Sequence, residues 1–441
     1  MNKLDLSNIK LAINGGNPVR TKAWLDNFTI GEEEKNAVMR VLDSGYLSLF
    51  EGSHSADKPF SFKGGPEVLS LEDEWCTFYG SKHSISLNSA TSGLYAAIGA
   101  LGIGYGDEII VSPFTMTACA MAPLIYGAIP VFADVDAETG CLDPSSIEKK
   151  ISPQTKGILV VHQFGFPAEM DRIMGLARKY NLKVIEDCAQ SHGAKYKGRF
   201  TGTIGDIGVF SLNVNKTIQT GEGGVCVTND PDLAYRLQLI RNHGEAVVGP
   251  AEYQDIVNIA GFNYRMPETS AAIAREQLKK LPILNGQRLE LVEQLKEGLK
   301  PFDFLHPMQG PSSSQASTCS NQNRCHSTYY VFPIRYFSSK AGVERNKFIK
   351  ALNAEGMKFY QGYTRPLYLQ PVYQKQLLFK YGYPFSAPVN RKCTKDYKKG
   401  ICPTAEKLHF EEIVINEHIR FPHSQSDMID ILQSISKIYS N

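Results

Sequence analysis

The 441-residue chain has no apolar segment long enough to span a bilayer, and its first residues, Met1 to Leu6, lack the apolar core of a secretion signal. It also lacks a charge imbalance, because 47 Lys and Arg residues stand against 45 Asp and Glu residues and leave a net charge of +2. A balance this even gives no electrostatic reason to expect binding to nucleic acid or to a membrane. We therefore expect a cytoplasmic protein with neither partner.

The cysteine pattern favours free thiols over disulfides. The nine cysteines are an odd number, and Cys119, Cys188 and Cys226 lie in apolar stretches. A further group, Cys319 with Cys325 and His326, has no matched second pair of metal ligands. We therefore predict no metal site.

Apolar strand patterns alternate with helical patterns through the first half of the chain. The strand candidates are Ser84–Leu87, Ile109–Ser112, Val131–Ala133, Ile158–His162, Val184–Asp187, Val209–Leu212 and Val225–Thr228. Helical patterns such as Met170–Tyr180 and Ala234–Arg241 lie between and after them. This alternation predicts an α/β fold with a mostly parallel central sheet flanked by helices.

A long helical pattern marks the expected domain boundary. It covers Pro267–Leu281, is interrupted by Pro282 and resumes to Leu299. A chain of this length exceeds what one simple core usually holds, so we expect two packed domains. We place an N-terminal arm at 1–30, a large domain at 31–282 and a smaller C-terminal α+β domain at 283–441.

One lysine, Lys216, follows an uncharged strand pattern and precedes a glycine-rich turn in the run Phe210–Gly224. A lysine amine attacks aldehydes when its surroundings favour the uncharged form. Ser211 and the glycines add uncharged hydrogen-bond donors that suit a phosphate. Pyridoxal phosphate, which carries an aldehyde and a phosphate, needs both features. A solvated surface lysine beside a turn is the alternative that this segment alone leaves open.

An acidic residue, Asp187, ends the apolar strand pattern of Lys183–Asp187. Ligands of open α/β sheets bind at the carboxyl ends of strands, and a carboxylate there can pair with a pyridinium nitrogen. Gln190 is three residues further on, within reach of the ring's hydroxyl. The alternatives are a helix N-cap for Asp187 and, for His192, a buried structural role that we favour over catalysis.

A third motif, Ser84–Leu94, is a short strand that runs into small polar residues and then into a helical pattern. The amides at a helix start bind anions, and the helix dipole favours a phosphate there. Ser and Thr are also ordinary helix caps, so this motif alone is weak. Together with Ser211 and Lys216 it predicts a phosphate site.

These residues resemble the DegT/StrS family of sugar aminotransferases, which are pyridoxal-phosphate enzymes of fold-type I. The resemblance covers about Gly31 to Leu281 and returns more faintly near the C-terminus. Further motifs that carry it are Gly64–Val68, Gly104–Val111, His162 followed by Glu169–Met174, Arg241–Gly244 and Gly261–Met266. So many motifs in the same order are highly specific.

The resemblance implies a role for each matching residue. Lys216 matches the lysine that binds the cofactor covalently, Asp187 the partner of the pyridinium nitrogen and Gln190 a contact to the ring or its hydroxyl. Ala90, Thr91 and Ser211 match the phosphate loop. Asn263 matches an asparagine that reaches the phosphate of the neighbouring subunit, which implies a homodimer with shared active sites.

Two positions bear on the chemistry. In the run Phe114-Thr115-Met116, methionine stands where the family usually has an aromatic that stacks on the cofactor ring, so Phe114 is the alternative stacking residue. Related dehydratases carry histidine at the position of Lys216. The lysine therefore favours transamination over dehydration.

The resemblance implies transfer of an amino group from glutamate or glutamine to a keto-sugar, which we expect to be nucleotide-linked, in polysaccharide or secondary-metabolite amino-sugar biosynthesis. The opening Leu11–Arg20 resembles the branch that contains glutamine:scyllo-inosose aminotransferase and 3-amino-5-hydroxybenzoate synthase, so a free keto-cyclitol acceptor stays open. The alternatives are a lyase or dehydratase, and a non-catalytic binding or regulatory protein that kept the cofactor fold. The sequence does not fix the roles of two apparent inserts, 51–63 and 310–324.

Overall fold

The structure, a computed structural model, describes residues 10–55, 57–311 and 325–441, and a seven-stranded sheet lies at its centre. In chain order the strands are β1 His83–Leu87, β2 Glu108–Val111, β3 Ile129–Phe132, β4 Thr155–Val161, β5 Lys183–Asp187, β8 Ile207–Ser211 and β9 Gly224–Thr228. Their order across the sheet is β1-β9-β8-β5-β4-β2-β3, and only β9 runs against its neighbours. Every predicted strand is present, with ends shifted by at most three residues.

Helices cover this sheet, as predicted. They are α1 Glu32–Ser44, α2 Pro66–Tyr79, α3 Ala90–Ala100, α4 Ala118–Ile125, α5 Pro144–Lys150, α6 Met170–Tyr180, α7 Pro231–Arg241 and α8 Glu268–Leu299. The strands β2, β3, β8 and β9 are buried along their whole length, as expected of strands covered on both faces. A two-stranded hairpin of β6 Lys195–Tyr196 and β7 Arg199–Phe200 stands apart from the sheet.

Helix α8 is continuous through Pro282, so the predicted domain boundary falls inside a helix. A proline removes one backbone hydrogen bond from a helix interior. Here α8 packs against α1 and α2 and also against the C-terminal helix α13, Gln425–Tyr439. These contacts hold the helix together across the missing bond.

Within the described residues, none of the helices combines the length and apolar character needed to cross a bilayer.

The C-terminal region forms a small α+β unit, as predicted. Its antiparallel strands are β10 Leu305–Pro307, β11 Phe332–Tyr336, β12 Tyr360–Gln361 and β13 Ile413–Asn416, in the order β10-β11-β13-β12. Its helices are α9 Ser338–Ala341, α10 Arg345–Ala354, α11 Pro371–Gln374, α12 Pro403–Lys407 and α13. Most of the insert predicted at 310–324, including Cys319, lies outside the described residues.

Two other segments tie the two units together. The arm packs on the small unit, where Arg20 Nη1 lies 2.8 Å from Asp427 and 2.7 Å from Asp430. The stretch between β12 and β13 lies along the β3 edge of the large sheet, where Tyr397 Oη donates to the carbonyl of Pro130 at 3.0 Å. Contacts between residues far apart in sequence therefore join the arm to the small unit and the small unit to the large sheet.

Candidate active site

The sheet topology brings the predicted site residues to one edge. Strand β9 lies between β1 and β8, and its first residue, Gly224, pairs with Leu87 on one side and with Ser211 on the other. Strand β5 lies beside β8 in parallel, with Asp187 opposite Val209. The carboxyl ends of β1, β8 and β5 are therefore neighbours, and ligands bind at this edge in sheets of this type.

The amino terminus of α3 forms an anion-binding cradle at this edge. Ser89 caps the helix, and its Oγ accepts from the Ser92 amide at 3.0 Å. The amides of Ala90 and Thr91 begin the helix and have no acceptor within it. Gly224 lies so close that a Cβ atom there would come within 2.5 Å of the Ser89 carbonyl carbon. The cradle has room and donors for a phosphate group, and the phosphate contact of this segment stays a prediction.

Ser211 ends β8 beside this cradle. Its side chain is buried, and its Oγ accepts from the Asn213 amide at 3.3 Å. Since the register places Ser211 next to Gly224, and Gly224 packs on Ser89, the hydroxyl lies on the phosphate side of the site. Among the residues that the structure describes, its hydroxyl proton has no acceptor and can be donated to a ligand.

Asp187 is a buried carboxylate with two hydrogen-bond donors in the protein. Its Oδ1 accepts from the Ala189 amide at 2.9 Å, and its Oδ2 accepts from the Cys119 thiol at 3.0 Å. Burial is the main cause that raises the pKa of Cys119, and the Asp187 charge adds to it, so the thiol stays protonated. No described helix starts directly after β5, so the alternative of a helix N-cap is wrong. Both carboxylate oxygens keep lone pairs for a pyridinium N–H.

Gln190 connects the large unit with the small one. Its Oε1 accepts from the Phe164 amide at 2.8 Å, and its Nε2 donates to Tyr363 Oη at 3.0 Å. Tyr363 follows β12, and burial raises its pKa. Within the described part of the chain, Nε2 makes this one hydrogen bond, so its second N–H can contact a ligand. Tyr363 carries no local sequence signal and was not predicted.

Lys216 lies in the loop between β8 and β9. Its Nζ lies 4.5 Å from the centre of the Tyr330 ring, and its backbone amide donates to the carbonyl of Asn213 at 2.9 Å. From the N-terminal arm, Asn27 Nδ2 donates to the Lys216 carbonyl at 2.8 Å. The backbone of this lysine is therefore held from two sides, which is unlike a free surface lysine.

Two arginines without a local sequence signal contact the residues on either side of Lys216. Arg420 Nη1 donates to the Asn215 carbonyl at 3.4 Å, and Arg288 Nη1 donates to Thr217 Oγ1 at 2.8 Å. Burial lowers the pKa of Arg288 to about 9, with the nearby charge of Arg420 adding to the drop. Burial also lowers the pKa of Arg420. Both arginines lie far from Lys216 in sequence.

The prediction that Phe114 stacks on the cofactor ring is not supported. Phe114 has no exposed surface and packs edge-on against Phe164 and Tyr363, at 6.1 and 5.7 Å between ring centres. Met116 is 53% exposed. Of the two candidates, only Met116 therefore offers a side chain that a ligand can cover.

Asn263 lies near the phosphate cradle of its own chain. The Asn263 carbonyl accepts from Asn88 Nδ2 at 3.3 Å, and Asn88 stands two residues before Ala90. Asn263 itself is exposed. This position fits a contact to a phosphate. The subunit to which that phosphate belongs stays a prediction.

Two histidines of the motifs are buried parts of the scaffold. Burial lowers the pKa of His192 to about 3, with the Lys216 charge adding to the shift. His162 Nδ1 accepts from the Ala168 amide at 3.0 Å, so its Nε2 carries the proton donated to Glu186 at 2.8 Å. Both ring nitrogens of His162 are thus used. For His192, the burial of the ring agrees with the structural role that the sequence favours.

The segment 51–63, one of the two apparent inserts, packs partly on α7. His54 Nε2 lies 3.1 Å from Tyr235 Oη, and its ring lies 4.6 Å from that of Phe62. Phe62 is buried, whereas Phe60 is exposed. The segment is therefore anchored at His54 and leaves Phe60 on the surface.

The described residues include groups that suit the phosphate, the ring nitrogen and the aldehyde of pyridoxal phosphate. The cradle at α3 and Ser211 suit its phosphate, Asp187 suits its ring nitrogen, and Lys216 suits its aldehyde. A comparison with known proteins agrees with this fit: the sequence model of the DegT/DnrJ/EryC1/StrS aminotransferase family matches residues 29–394. The chain belongs to this family. The resemblance found in the motifs is confirmed, and the chain is a pyridoxal-phosphate-dependent aminotransferase by family.

Similar proteins cover nearly the whole chain. It is 30% identical over 454 residues to the L-glutamine:2-deoxy-scyllo-inosose aminotransferase of Streptoalloteichus tenebrarius, with 98% of this chain and 97% of the relative covered. The aminotransferase from Psychrobacter cryohalolentis has a TM-score of 0.77 and 29% identity, covering 95% of this chain and 99% of that one. DesV of S. venezuelae, solved in complex with a ketimine intermediate, has a TM-score of 0.75 and 28% identity, covering 93% and 95%.

Proposed function

We propose that this chain binds pyridoxal phosphate at the edge of its central sheet and moves an amino group from glutamate or glutamine to a keto-sugar. The observation that carries the proposal is the position of Lys216, Asp187 and the α3 amino terminus at the carboxyl ends of neighbouring strands. Each feature alone has an ordinary structural explanation. Their combination at one edge supports a cofactor site.

Each residue has a separate task in this proposal. Pyridoxal phosphate supplies an aldehyde and a protonated ring that accepts electrons. Asp187 holds the ring proton by its charge, and Gln190 contacts the ring hydroxyl. The amides of Ala90 and Thr91 hold the phosphate together with Ser211.

Lys216 acts in both halves of the reaction. With pyridoxal phosphate bound, Lys216 Nζ would hold its aldehyde. As a free amine, the same Nζ would be the base that carries the proton during amino transfer. Because donor and acceptor use the same lysine in turn, we expect ping-pong kinetics.

A keto-sugar, nucleotide-linked in the first instance, is the acceptor class that we propose. A free keto-cyclitol is the second candidate. Two observations favour it: the identity with the L-glutamine:2-deoxy-scyllo-inosose aminotransferase over nearly the whole chain, and the opening Leu11–Arg20. An assay with both acceptor classes and L-glutamine as donor separates them.

We further propose a homodimer with shared sites. Large apolar side chains between residues 28 and 60 are exposed, namely Phe28, Ile30, Met39, Leu42, Tyr46, Leu47 and Phe60. Exposed apolar side chains in such number are typical of an interaction surface. This stretch begins beside Asn27, which contacts the loop of Lys216. An interface here is therefore close to the site, and Asn263 is our candidate for the contact to the partner's phosphate.

Borohydride reduction of the loaded protein followed by peptide mapping tests the cofactor assignment. We expect the adduct on Lys216 and expect Lys216→Ala to lose both the adduct and amino transfer. Lys195→Ala is a matched control, because Lys195 is also half-buried, with its Nζ 4.3 Å from the centre of the Phe200 ring. An adduct on another lysine, or none at saturating cofactor, contradicts the assignment.

A further inference from the structure

The balanced charge of the whole chain conceals one strongly basic segment. Residues 371–400, the basic segment, lie between β12 and β13 and contain seven lysines and arginines against a single acidic residue, Asp396. Six of the seven cations are exposed, namely Lys375, Lys380, Arg391, Lys392, Lys398 and Lys399. Lys398 Nζ lies 3.6 Å from Asp396. The other five exposed cations have no carboxylate partner in the part of the chain that the structure describes.

Large apolar side chains are exposed on the same segment. They are Leu377, Phe379, Tyr381, Tyr383 and Val389. Tyr381 protrudes furthest, with 87% of its surface exposed. Gln376 Nε2 donates to the Lys395 carbonyl at 3.3 Å, so the stretch that carries the rings adjoins the stretch that carries Arg391 and Lys392. Apolar side chains in such number beside unpaired cations are typical of an interaction surface with an anionic partner.

The backbone of the basic segment is fixed on the large sheet, although the segment has little regular secondary structure. Asn390 has no exposed surface, and its Nδ2 donates to the Gly127 carbonyl at 2.9 Å. Tyr373 and Tyr397 are buried, and their rings pack against Phe132 of β3 at 5.3 and 5.8 Å between ring centres. The buried side of the segment therefore covers the β3 edge and presents the cations and rings on its outer side from a fixed backbone.

We propose that the basic segment docks this protein on the anionic headgroups of a lipid bilayer. Clusters of about four to eight lysines and arginines bind anionic lipids, and aromatic side chains beside them enter the boundary between headgroups and acyl chains. The basic segment supplies both parts, with Phe379 and Tyr381 as the side chains that enter the bilayer surface. The expectation of no membrane partner rested on the charge of the whole chain, in which acidic residues elsewhere offset this segment.

The choice of side chains favours a bilayer over a protein or a nucleic acid. Six of the seven cations in the segment are lysines. Where proteins bind one another, arginine is enriched and lysine is depleted. Single-stranded nucleic acid binds along a basic groove in which aromatic rings stack on the bases. Leu377 and Val389, which cannot stack on bases, are 54% and 59% exposed, and aliphatic side chains of this kind are stabilised by entering the acyl boundary of a bilayer.

The docking surface is separate from the candidate active site. The basic segment covers the β3 edge, whereas Asp187 ends β5, and the strands β4 and β2 lie between β5 and β3. The inference therefore goes beyond the proposed aminotransfer and does not depend on it.

Sedimentation of the full chain with lipid vesicles tests the proposal. The probes are vesicles of phosphatidylcholine alone and vesicles that also contain phosphatidylglycerol, at near-physiological salt, where attraction between distant charges is screened. We expect binding to the anionic vesicles only. The charge variant combines Lys375→Gln, Lys380→Gln, Arg391→Gln and Lys392→Gln. Each cation near an anionic bilayer contributes about fivefold in affinity, so this variant should bind more than about 100-fold more weakly.

A matched control separates the segment from net charge. It makes the same change at four exposed lysines outside the segment, namely Lys82→Gln, Lys149→Gln, Lys347→Gln and Lys350→Gln. We expect this control to bind the anionic vesicles as the wild type does. The melting temperature of each variant shows whether its fold is retained.

A ring variant tests the apolar part of the contact. Phe379→Ser together with Tyr381→Asn removes both rings and keeps every cation. Asparagine suits position 381 because Tyr381 has a φ of 61°, in the left-handed region that asparagine tolerates. We expect the ring variant to bind anionic vesicles at least about tenfold more weakly than the wild type, because an aromatic side chain loses its burial.

Four outcomes overturn the proposal. One is wild-type protein that does not sediment with the anionic vesicles. Another is equal loss of binding in the charge variant and in the matched control, which shows attraction by net charge alone. A third is unchanged binding by the ring variant, which shows adsorption by charge without entry into the bilayer. The fourth is binding of a single-stranded oligonucleotide, lost in the charge variant, by a protein that leaves the vesicles unbound, which assigns the segment to nucleic acid.

Discussion

The contact between Asp187 and Cys119 allows the charge of Asp187 to be tested apart from its packing. The carboxylate accepts from the Cys119 thiol at 3.0 Å and from the Ala189 amide at 2.9 Å. Asp187→Asn removes the charge and places an amide NH2 group, itself a donor, opposite one of these two donors. Cys119→Val removes the thiol contact from the other side and keeps the charge.

We expect similar losses of stability and very different losses of rate. A buried polar group without its partner costs about 1–3 kcal/mol, and a thiol is a weak donor, so we expect about 1 kcal/mol for each variant. A unit charge at about 4 Å contributes about 4 kcal/mol when the effective dielectric constant is about 20. Asp187→Asn should therefore slow amino transfer about 10³-fold, whereas Cys119→Val should slow it less than about tenfold.

Urea unfolding of the loaded protein measures the stability of each variant, and the change in cofactor absorbance on adding L-glutamine measures the first half-reaction. The reasoning predicts that rate and stability separate only in Asp187→Asn. Equal slowing by both variants would assign Asp187 a packing role. Near-normal transfer by Asp187→Asn would place the partner of the ring nitrogen elsewhere.

Three further predictions concern the rest of the site. Burial lowers the pKa of His192 from 6.5 to about 3. Below about pH 6.5 the unfolded chain therefore binds a proton at this histidine that the folded chain does not bind. The free energy of unfolding should fall as the pH falls from about 6.5 to about 3. His192→Asn should lessen the loss between pH 7 and 5 in urea unfolding; an unchanged loss contradicts this. Gly224→Ala should weaken phosphate binding to the cofactor-free protein and lower the free energy of unfolding by about 1–3 kcal/mol, because its Cβ would lie 2.5 Å from the Ser89 carbonyl carbon. Unchanged phosphate affinity and unchanged stability would show that the cradle has room for the added methyl group. Mixing Lys216→Ala with Asn263→Ala subunits should restore activity, because sharing across a twofold axis leaves one intact site; no recovery after verified subunit exchange rules this out.

Residues with a local sequence pattern were predictable. Lys216 precedes a glycine-rich turn, Asp187 ends an apolar strand, and Ala90 starts a helix after small polar residues. Each pattern reflects a local requirement: a turn, a strand end or a free helix terminus. The parallel order of the strands then places these ends together, so the edge of the sheet follows from the alternation of strands and helices.

Residues that reach the site from distant parts of the chain were not predictable. Cys119, Tyr363 and Arg420 belong to α4, to the residues after β12 and to the turn after β13. Nothing in the sequence around them indicates the site, because their contacts depend on how the two units pack. The burial of Phe114 and the exposure of Met116, both predicted as cofactor contacts, were not predictable for a related reason: the run of three residues does not show which side chain is buried.

The loop that carries Lys216 depends on three separate parts of the chain. Asn27 contacts it from the N-terminal arm, Arg288 from α8 and Arg420 from the turn after β13. A single hydrogen bond contributes only about 1 kcal/mol, so none of these contacts alone fixes the lysine. Together they make the position of Lys216 Nζ depend on how the arm and the small unit pack against the sheet. In the proposed site, the small unit therefore helps to position the lysine, because it supplies the contact of Arg420 to the Asn215 carbonyl.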